Sequence, residues 1–126
     1  MIVGTEWLIE ATECDPDALR DEAKLTTLMA TVITDLKLKP VGSVWHKFPA
    51  EGGVTGLILL TESHLTCHTY PEHGVATFNL YCCRTRPDWE WENNLRSSLG
   101  AGHVSIMKAD RGNAHVLAAD SAGGSR

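Results

Sequence analysis

The stretch from Val54 to Cys83 constrains the fold most, because almost all of it reads as β-strand broken at two short places. Val54 to Glu62 is rich in β-branched and leucine side chains. His64 to Tyr70 alternates, with Leu65 and Cys67 on one face and His64, Thr66 and His68 on the other, and Val75 to Cys83 is a further strand. Pro71-Glu72-His73-Gly74 supplies a turn between the last two runs. Ser63 marks the break between the first two, which allows either one long bent strand or two.

The flanking segments extend the pattern. From Glu6 to Thr12, Trp7, Ile9 and Ala11 alternate with Glu6, Glu10 and Thr12, and only Leu8 interrupts a half-buried strand. Asp15-Pro16 offers a cap followed by proline at the first helical position. Leu19, Ala23, Leu28, Val32, Ile33 and Leu36 then recur at helical spacing, which predicts one helix of about five turns. Pro40 and Gly42 stop it, Val41 to Phe48 forms a strand, and Glu51-Gly52-Gly53 turns the chain. A short helix spans Pro87 to Leu99, starting near Asp88, and His103 to Lys108 is the last strand. Trp89 and Trp91, two apart, cannot share a helix face, so one of them is expected to be exposed.

The order β-α-β-β-β-β-α-β predicts an α+β fold, a two-layer α/β sandwich whose mainly antiparallel sheet carries its helices on one face. A length of 126 residues suits one domain, placed at 1–117, with a disordered tail from Ala118 to Arg126 ending in Ser-Ala-Gly-Gly-Ser-Arg.

Charge excludes some functions. Eleven Lys and Arg against sixteen Asp and Glu leave a net charge of -5 with no basic cluster, so nucleic acid is not an expected partner. No apolar run approaches the roughly 20 residues of a membrane span, the longest, Val54 to Leu60, being broken by Thr55 and Gly56. Met1-Ile-Val-Gly-Thr-Glu lacks the basic and apolar regions of a signal peptide, which predicts a cytoplasmic protein. Its four cysteines are then expected as free thiols, and Cys82 and Cys83, as strand neighbours, point to opposite faces.

Chemistry concentrates in Thr61-Glu62-Ser63-His64-Leu65-Thr66-Cys67-His68-Thr69-Tyr70-Pro71-Glu72, which holds a hydroxyl nucleophile, two histidines and two carboxylates. His64 and His68 share a strand face with Thr66 between them, but no third ligand stands at a convincing spacing, so no metal is expected. Cys14, Cys67 and Cys82 read as structural, and His73, His103 and His115 as surface residues. Alone, His68 is an ordinary sheet histidine and Cys83 a small apolar side chain.

Taken together, the Glu-Ser-His-Leu-Thr-x-His-Thr-Tyr-Pro-Glu pattern of residues 62 to 72 resembles the processing motif of the prokaryotic S-adenosylmethionine decarboxylase proenzymes. The similarity extends to Glu13-Cys14-Asp15-Pro16, His46-Lys47-Phe48, Gly53-Val54-Thr55-Gly56, the Gly74 to Cys83 spacing and His103-Val104-Ser105, and spans residues 4 to 112. It implies that the chain cuts itself between Glu62 and Ser63. The Ser63 hydroxyl attacks the Glu62 carbonyl, the ester eliminates to dehydroalanine, and hydrolysis with loss of ammonia leaves a pyruvoyl cofactor derived from Ser63. His68 is implied as the base for the Ser63 α-proton, Thr55 as a hydroxyl assisting the ester step, Cys83 as the acid that returns a proton during turnover, and Glu72 as a substrate contact. The pyruvoyl ketone would hold the substrate amine as a Schiff base and take up the electrons left by carbon dioxide. An adenine and a sulfonium suit aromatic faces, which nominates Phe48, Trp7 and Tyr70.

The implied product, decarboxylated S-adenosylmethionine, feeds polyamine and spermidine synthesis, and the implied assembly is a homodimer with the site near the subunit interface. The chain departs from the family pattern at Thr5 and Glu6, where two basic residues are usual, at Thr55 in place of serine, and at Asn79 in place of aspartate. These departures admit ornithine or arginine as the decarboxylated substrate, or an unprocessed regulatory homologue, as alternatives.

Overall fold

A computed structural model describes residues 1–112. The expectations for His115 and for the tail 118–126 lie outside the described residues. Six strands, β1 (Gly4–Thr12), β2 (Pro40–Lys47), β3 (Val54–Leu60), β4 (Ser63–Tyr70), β5 (Val75–Cys82) and β6 (His103–Arg111), form one sheet in the order β2-β3-β4-β5-β1-β6, every neighbouring pair antiparallel. Three helices, α1 (Pro16–Leu19), α2 (Glu22–Asp35) and α3 (Trp91–Leu99), complete the second layer, as the α+β reading requires.

The period of two decides which face is covered. Trp7, Ile9 and Ala11 of β1, Leu65 and Cys67 of β4, and Ala76, Phe78, Leu80 and Cys82 of β5 are buried and pack with Leu25, Leu28, Met29 and Val32 of α2 and with Leu95 and Leu99 of α3. Burial pushes the Cys67 thiol up to about 12 and raises those of Cys14 and Cys82, so these three are neutral packing groups, as expected from the sequence. Among the described residues no helix lies on the opposite sheet face. Leu8, Val44, Leu57, Leu59 and Met107 stand exposed on it, Val44 being 70% accessible.

Three local readings need correction. The long helix is two helices, because Asp21 starts a second one: its carboxylate accepts the Lys24 N–H at 3.1 Å, repeating what Asp15 does for Asp17 at the first start. Ser63 opens β4 and pairs with Leu60, so the break is the two-residue loop Thr61-Glu62, and Glu62 belongs to no strand. The short helix begins at Trp91, not near Asp88. Trp89 therefore precedes it, is free of the helical spacing rule, and both tryptophans are buried with their rings edge to face at 4.8 Å. Trp89 Nε1 donates to Asp35 Oδ2 at 2.9 Å, tying the approach to α3 onto the end of α2.

One buried hydroxyl joins three elements. Thr69 Oγ1 donates to Leu19 O at 2.6 Å, satisfying a carbonyl of the last turn of α1, and accepts the Val54 N–H at 2.8 Å at the start of β3. Glycine is required at position 53 beside it, since a Cβ there would lie 2.1 Å from Thr69 O.

Candidate active site

The residues nominated from the sequence fall into two groups at opposite ends of β4. Ser63 and His68 are five residues apart on that strand, about 17 Å at ~3.3 Å per residue, and an odd separation sends their side chains to opposite faces. One chain therefore does not bring Ser63, His68 and Cys83 together.

The first group surrounds the Glu62–Ser63 peptide. Ser63 pairs with Leu60 on one side and Cys82 on the other, and its Oγ is buried with no hydrogen-bond partner among the described residues. As β5 ends, Cys83 curls over the loop so that both its donors meet one acceptor: its N–H lies 3.3 Å and its Sγ 2.5 Å from Glu62 O. The Glu62 carboxylate is held from the other side by Arg84, through Nε to Oε2, and by Arg86, Nη2 to Oε1 at 3.3 Å. The carbonyl to be attacked is thus fixed by two donors next to a buried hydroxyl whose side-chain contact is the weakly bonding Cys82 thiol. An unpartnered buried hydroxyl is costly in a merely structural position and suits a group that must react.

The second group lines a cleft of 430 Å³ bounded by Phe48, Gly52, Gly53, Thr55, His68, Thr69, Tyr70 and Glu72. Thr55 and His68 are directly opposite across the β3–β4 ladder, with Thr55 Oγ1 3.3 Å from His68 Nδ1. Phe48 and Tyr70 are partly exposed at its rim, and the Phe48 ring meets His46 edge to face at 4.5 Å. Glu72 sits on the 3₁₀ turn Pro71–His73, which ends on Gly74 at φ 66°, a conformation glycine adopts without cost. Five nominated residues, Phe48, Thr55, His68, Tyr70 and Glu72, therefore share one cleft.

Trp7 belongs to neither group. It is 2% exposed on the helix-covered face, donates Nε1–H to Asp88 Oδ1 at 3.0 Å, and has Lys108 Nζ 5.5 Å from its ring centre. Its ring is enclosed and cannot stack on a ligand. The Trp7 indole N–H, followed by Lys108, holds the Asp88 carboxyl below its ordinary value.

A third arrangement runs across the uncovered face. Arg111 Nη1 donates to Glu6 Oε1 at 2.5 Å, and Asn79 Nδ2 donates to Glu6 Oε2 at 2.7 Å. The Asn79 Oδ1 is left to accept the Nε2–H of His64, also at 2.7 Å. Burial pushes Glu6 up, but the hydrogen bonds from Asn79 and Arg111 and the Arg111 charge outweigh it and hold the carboxyl below its ordinary value. Two of the departures from the family pattern thus compensate each other, since an aspartate at 79 would set a second carboxylate against Glu6.

The arginines at 84 and 86 escaped the sequence reading because no motif contains them. The chain bends at Cys83 and Arg84 as it leaves β5, so no periodic spacing signals that both side chains reach Glu62. Among the described residues no group of three or more His, Cys, Asp or Glu is arranged to hold a metal, and no helix is long and apolar enough to cross a membrane.

Known proteins place this geometry in context. The family model described as S-adenosylmethionine decarboxylase matches residues 5–112. An S-adenosylmethionine decarboxylase proenzyme of Prochlorococcus marinus is 36% identical over 119 residues, covering 93% of this chain and 94% of that protein. One of Pyrobaculum islandicum is 43% identical over 90 residues, 70% of each chain. The crystal structure of the adenosylmethionine decarboxylase from Aquifex aeolicus superposes with a TM-score of 0.76 at 26% identity, covering 88% of this chain and 92% of that one. With the match running through both ends of β4 and the loop between Leu60 and Ser63, the chain belongs to the S-adenosylmethionine decarboxylase family.

Proposed function

We propose that the protein is a self-processing decarboxylase of S-adenosylmethionine, producing the decarboxylated aminopropyl donor used in polyamine synthesis. The observation that carries the self-processing half of this reading is the Glu62 carbonyl, which receives the N–H and S–H of Cys83 beside the unpartnered Ser63 Oγ. Family membership carries the substrate.

Cleavage begins when Ser63 Oγ adds to the Glu62 carbonyl carbon. Negative charge develops on Glu62 O, where two donors already point, the arrangement that stabilises an acyl-transfer intermediate. The C–N bond then breaks, the nitrogen of Ser63 takes a proton, and residues 62 and 63 are joined by an ester. Removal of the Ser63 α-proton expels the Glu62 carboxylate by breaking the Cβ–Oγ bond.

The base for that proton, His68, is too far away in the same chain, so a second copy of the protein supplies it. The uncovered sheet face supports such pairing: its exposed Leu8, Val44, Leu57, Leu59 and Met107 form the kind of apolar surface that marks an interface. The active unit is then a homodimer in which the Thr55–His68 cleft of one protomer serves the Ser63 end of the other.

The orphaned Ser63 Oγ fits the residue from which a pyruvoyl group is made. That group supplies a carbonyl which accepts the electron pair released with carbon dioxide. The chain's own contribution to turnover is to stack the substrate's adenine and sulfonium on Phe48 and Tyr70, to set Glu72 against it, and to return a proton from the exposed Cys83 thiol.

The test is an intact-mass spectrum of the purified protein, followed by carbon dioxide release from S-adenosylmethionine, ornithine and arginine offered separately. Two fragments divided between Glu62 and Ser63, the second lacking its serine amine, with release from S-adenosylmethionine alone, is the expected result. A permanently intact chain overturns the reading, and release from either amino acid instead overturns the substrate.

A further inference from the structure

The two arginines after Cys83 have no part in the chemistry so far, yet they grip the residue at which the chain divides. In an isolated two-residue hairpin loop the Glu62 side chain would extend into water. Here it is mostly covered, with one oxygen on each guanidinium. Arg84 is largely exposed, whereas Arg86 is mostly buried, donates Nη1–H to Thr85 O at 3.0 Å, and has a buried Nε without an acceptor among the described residues. Two positive charges meet one carboxylate, and one buried donor is left over.

We infer that Arg84 and Arg86 are positioning residues for self-cleavage: they hold Glu62 so that its carbonyl stays under the Cys83 donors, and they then stabilise the Glu62 α-carboxylate as it leaves. The inference rests on the self-processing reading and deepens it. Before the cut, residue 62 carries one negative charge. In the elimination step the Cα–H bond of Ser63 breaks, its electrons form the Cα–Cβ double bond, the Cβ–Oγ pair departs with the Glu62 acyl group, and the proton goes to the base. Residue 62 then carries two carboxylates. Those two carboxylates balance the two guanidiniums, and the α-carboxylate arises on the residue whose side chain Arg86 already holds while its Nε is without a partner among the described residues. Cationic groups placed where a leaving group's charge develops lower the barrier to its departure, and guanidinium suits a carboxylate because it offers paired donors.

The two roles separate experimentally. Fresh full-length protein is made by cell-free synthesis, and samples are quenched in acid over time. Each is split, half analysed directly by mass and half treated first with neutral hydroxylamine, which cuts the ester into a Glu62 hydroxamate fragment and a fragment with intact Ser63. Arg86→Ala should slow final cleavage about tenfold or more and accumulate the hydroxylamine-sensitive ester. Arg84→Ala, at an exposed pair, should slow it only a few-fold. Arg86→Lys should recover most of the rate by restoring the charge. Glu62→Gln, which keeps both arginines, should slow the first step and accumulate no ester. Circular dichroism checks folding, and if Arg86→Ala does not fold, Arg86→Lys and Glu62→Gln carry the test.

Cleavage of Arg86→Ala at the wild-type rate, or slow cleavage without ester build-up, overturns the inference. So does normal cleavage with a raised KM for S-adenosylmethionine, which would make the pair a substrate site. A wild-type chain that never divides overturns the underlying reading instead, so the two failures are distinguishable.

Discussion

Replacing Thr69 by valine removes a hydroxyl without changing the shape of the side chain, and the structure gives the size of the effect. Thr69 is 5% exposed, and its Oγ1 serves both Leu19 O and the Val54 N–H in a buried setting. Valine leaves that carbonyl and that amide unpaired, and each buried orphan costs about 1–3 kcal/mol, so a loss of roughly 2–6 kcal/mol is expected. Against the ~5–15 kcal/mol that holds a typical domain, this is a large fraction. Thr69→Ser keeps the hydroxyl and deletes one methyl, for about 1 kcal/mol. Urea unfolding followed by circular dichroism reads the difference, with protomer concentration fixed and Ser63→Ala included so that the chain stays whole. At a mid-range loss of ~4 kcal/mol for valine against about 1 for serine and a slope of ~2 kcal/mol per molar urea, the valine midpoint falls by about 1.5 M more than that of serine. Equal midpoints for the two would refute the claim that this hydroxyl fastens α1 and β3 to β4. A large loss would also loosen the cleft, since Gly53, Thr55 and His68 are anchored through the same junction.

Cys83→Ala is expected to slow fragment formation as well as turnover, because the S–H on Glu62 O is lost. Cys83→Ser keeps a donor and should process faster than alanine in the same mass time course. Glu6 has its carboxyl depressed, so the stability gained from its ion pair is complete above the ordinary carboxylate range and is lost as pH falls through the depressed value. Asn79→Asp sets like charges within hydrogen-bond reach, which should raise that value and move acid unfolding to higher pH, read by circular dichroism. Trp7→Phe should leave KM for S-adenosylmethionine unchanged and lower the urea midpoint, since the ring is a core element bonded to Asp88. A raised KM would return Trp7 to the substrate site.

Much of this was legible because the decisive pattern is local. Leu65 and Cys67 against His64, Thr66 and His68 settles which face of β4 is buried, and the Pro-Glu-His-Gly turn settles its end. The same alternation already placed Trp7 with Ile9 and Ala11 on the core face, so its nomination for ligand stacking set side-chain chemistry above position. The α1–α2 break was hidden because Leu19 and Ala23 keep helical spacing across it, and only the capping geometry of Asp21 divides them. The helix spacing rule holds for Trp91 alone, because Trp89 precedes the helix. The separation of Ser63 from His68 follows from counting along β4, but motif density in sequence reads as proximity in space, and on an extended strand it is not. The arginine grip on Glu62 depends on how Cys83 leaves the sheet, which no periodicity encodes.

The strand order has a consequence for what a cut at residue 62 can release. The first fragment would carry β1, β2 and β3 and the second β4, β5 and β6, but in the sheet β1 lies between β5 and β6. The fragments are therefore dovetailed, meeting along β3–β4, β5–β1 and β1–β6. Breaking the loop severs no ladder, and neither piece can depart while its neighbour keeps its shape. Separation requires those three of the sheet's five ladders to open together, after which reassembly is a meeting of two molecules and depends on their concentration. The processed protein would thus be durable while folded and poorly able to recover once unfolded, so its lifetime is set by the unfolding rate.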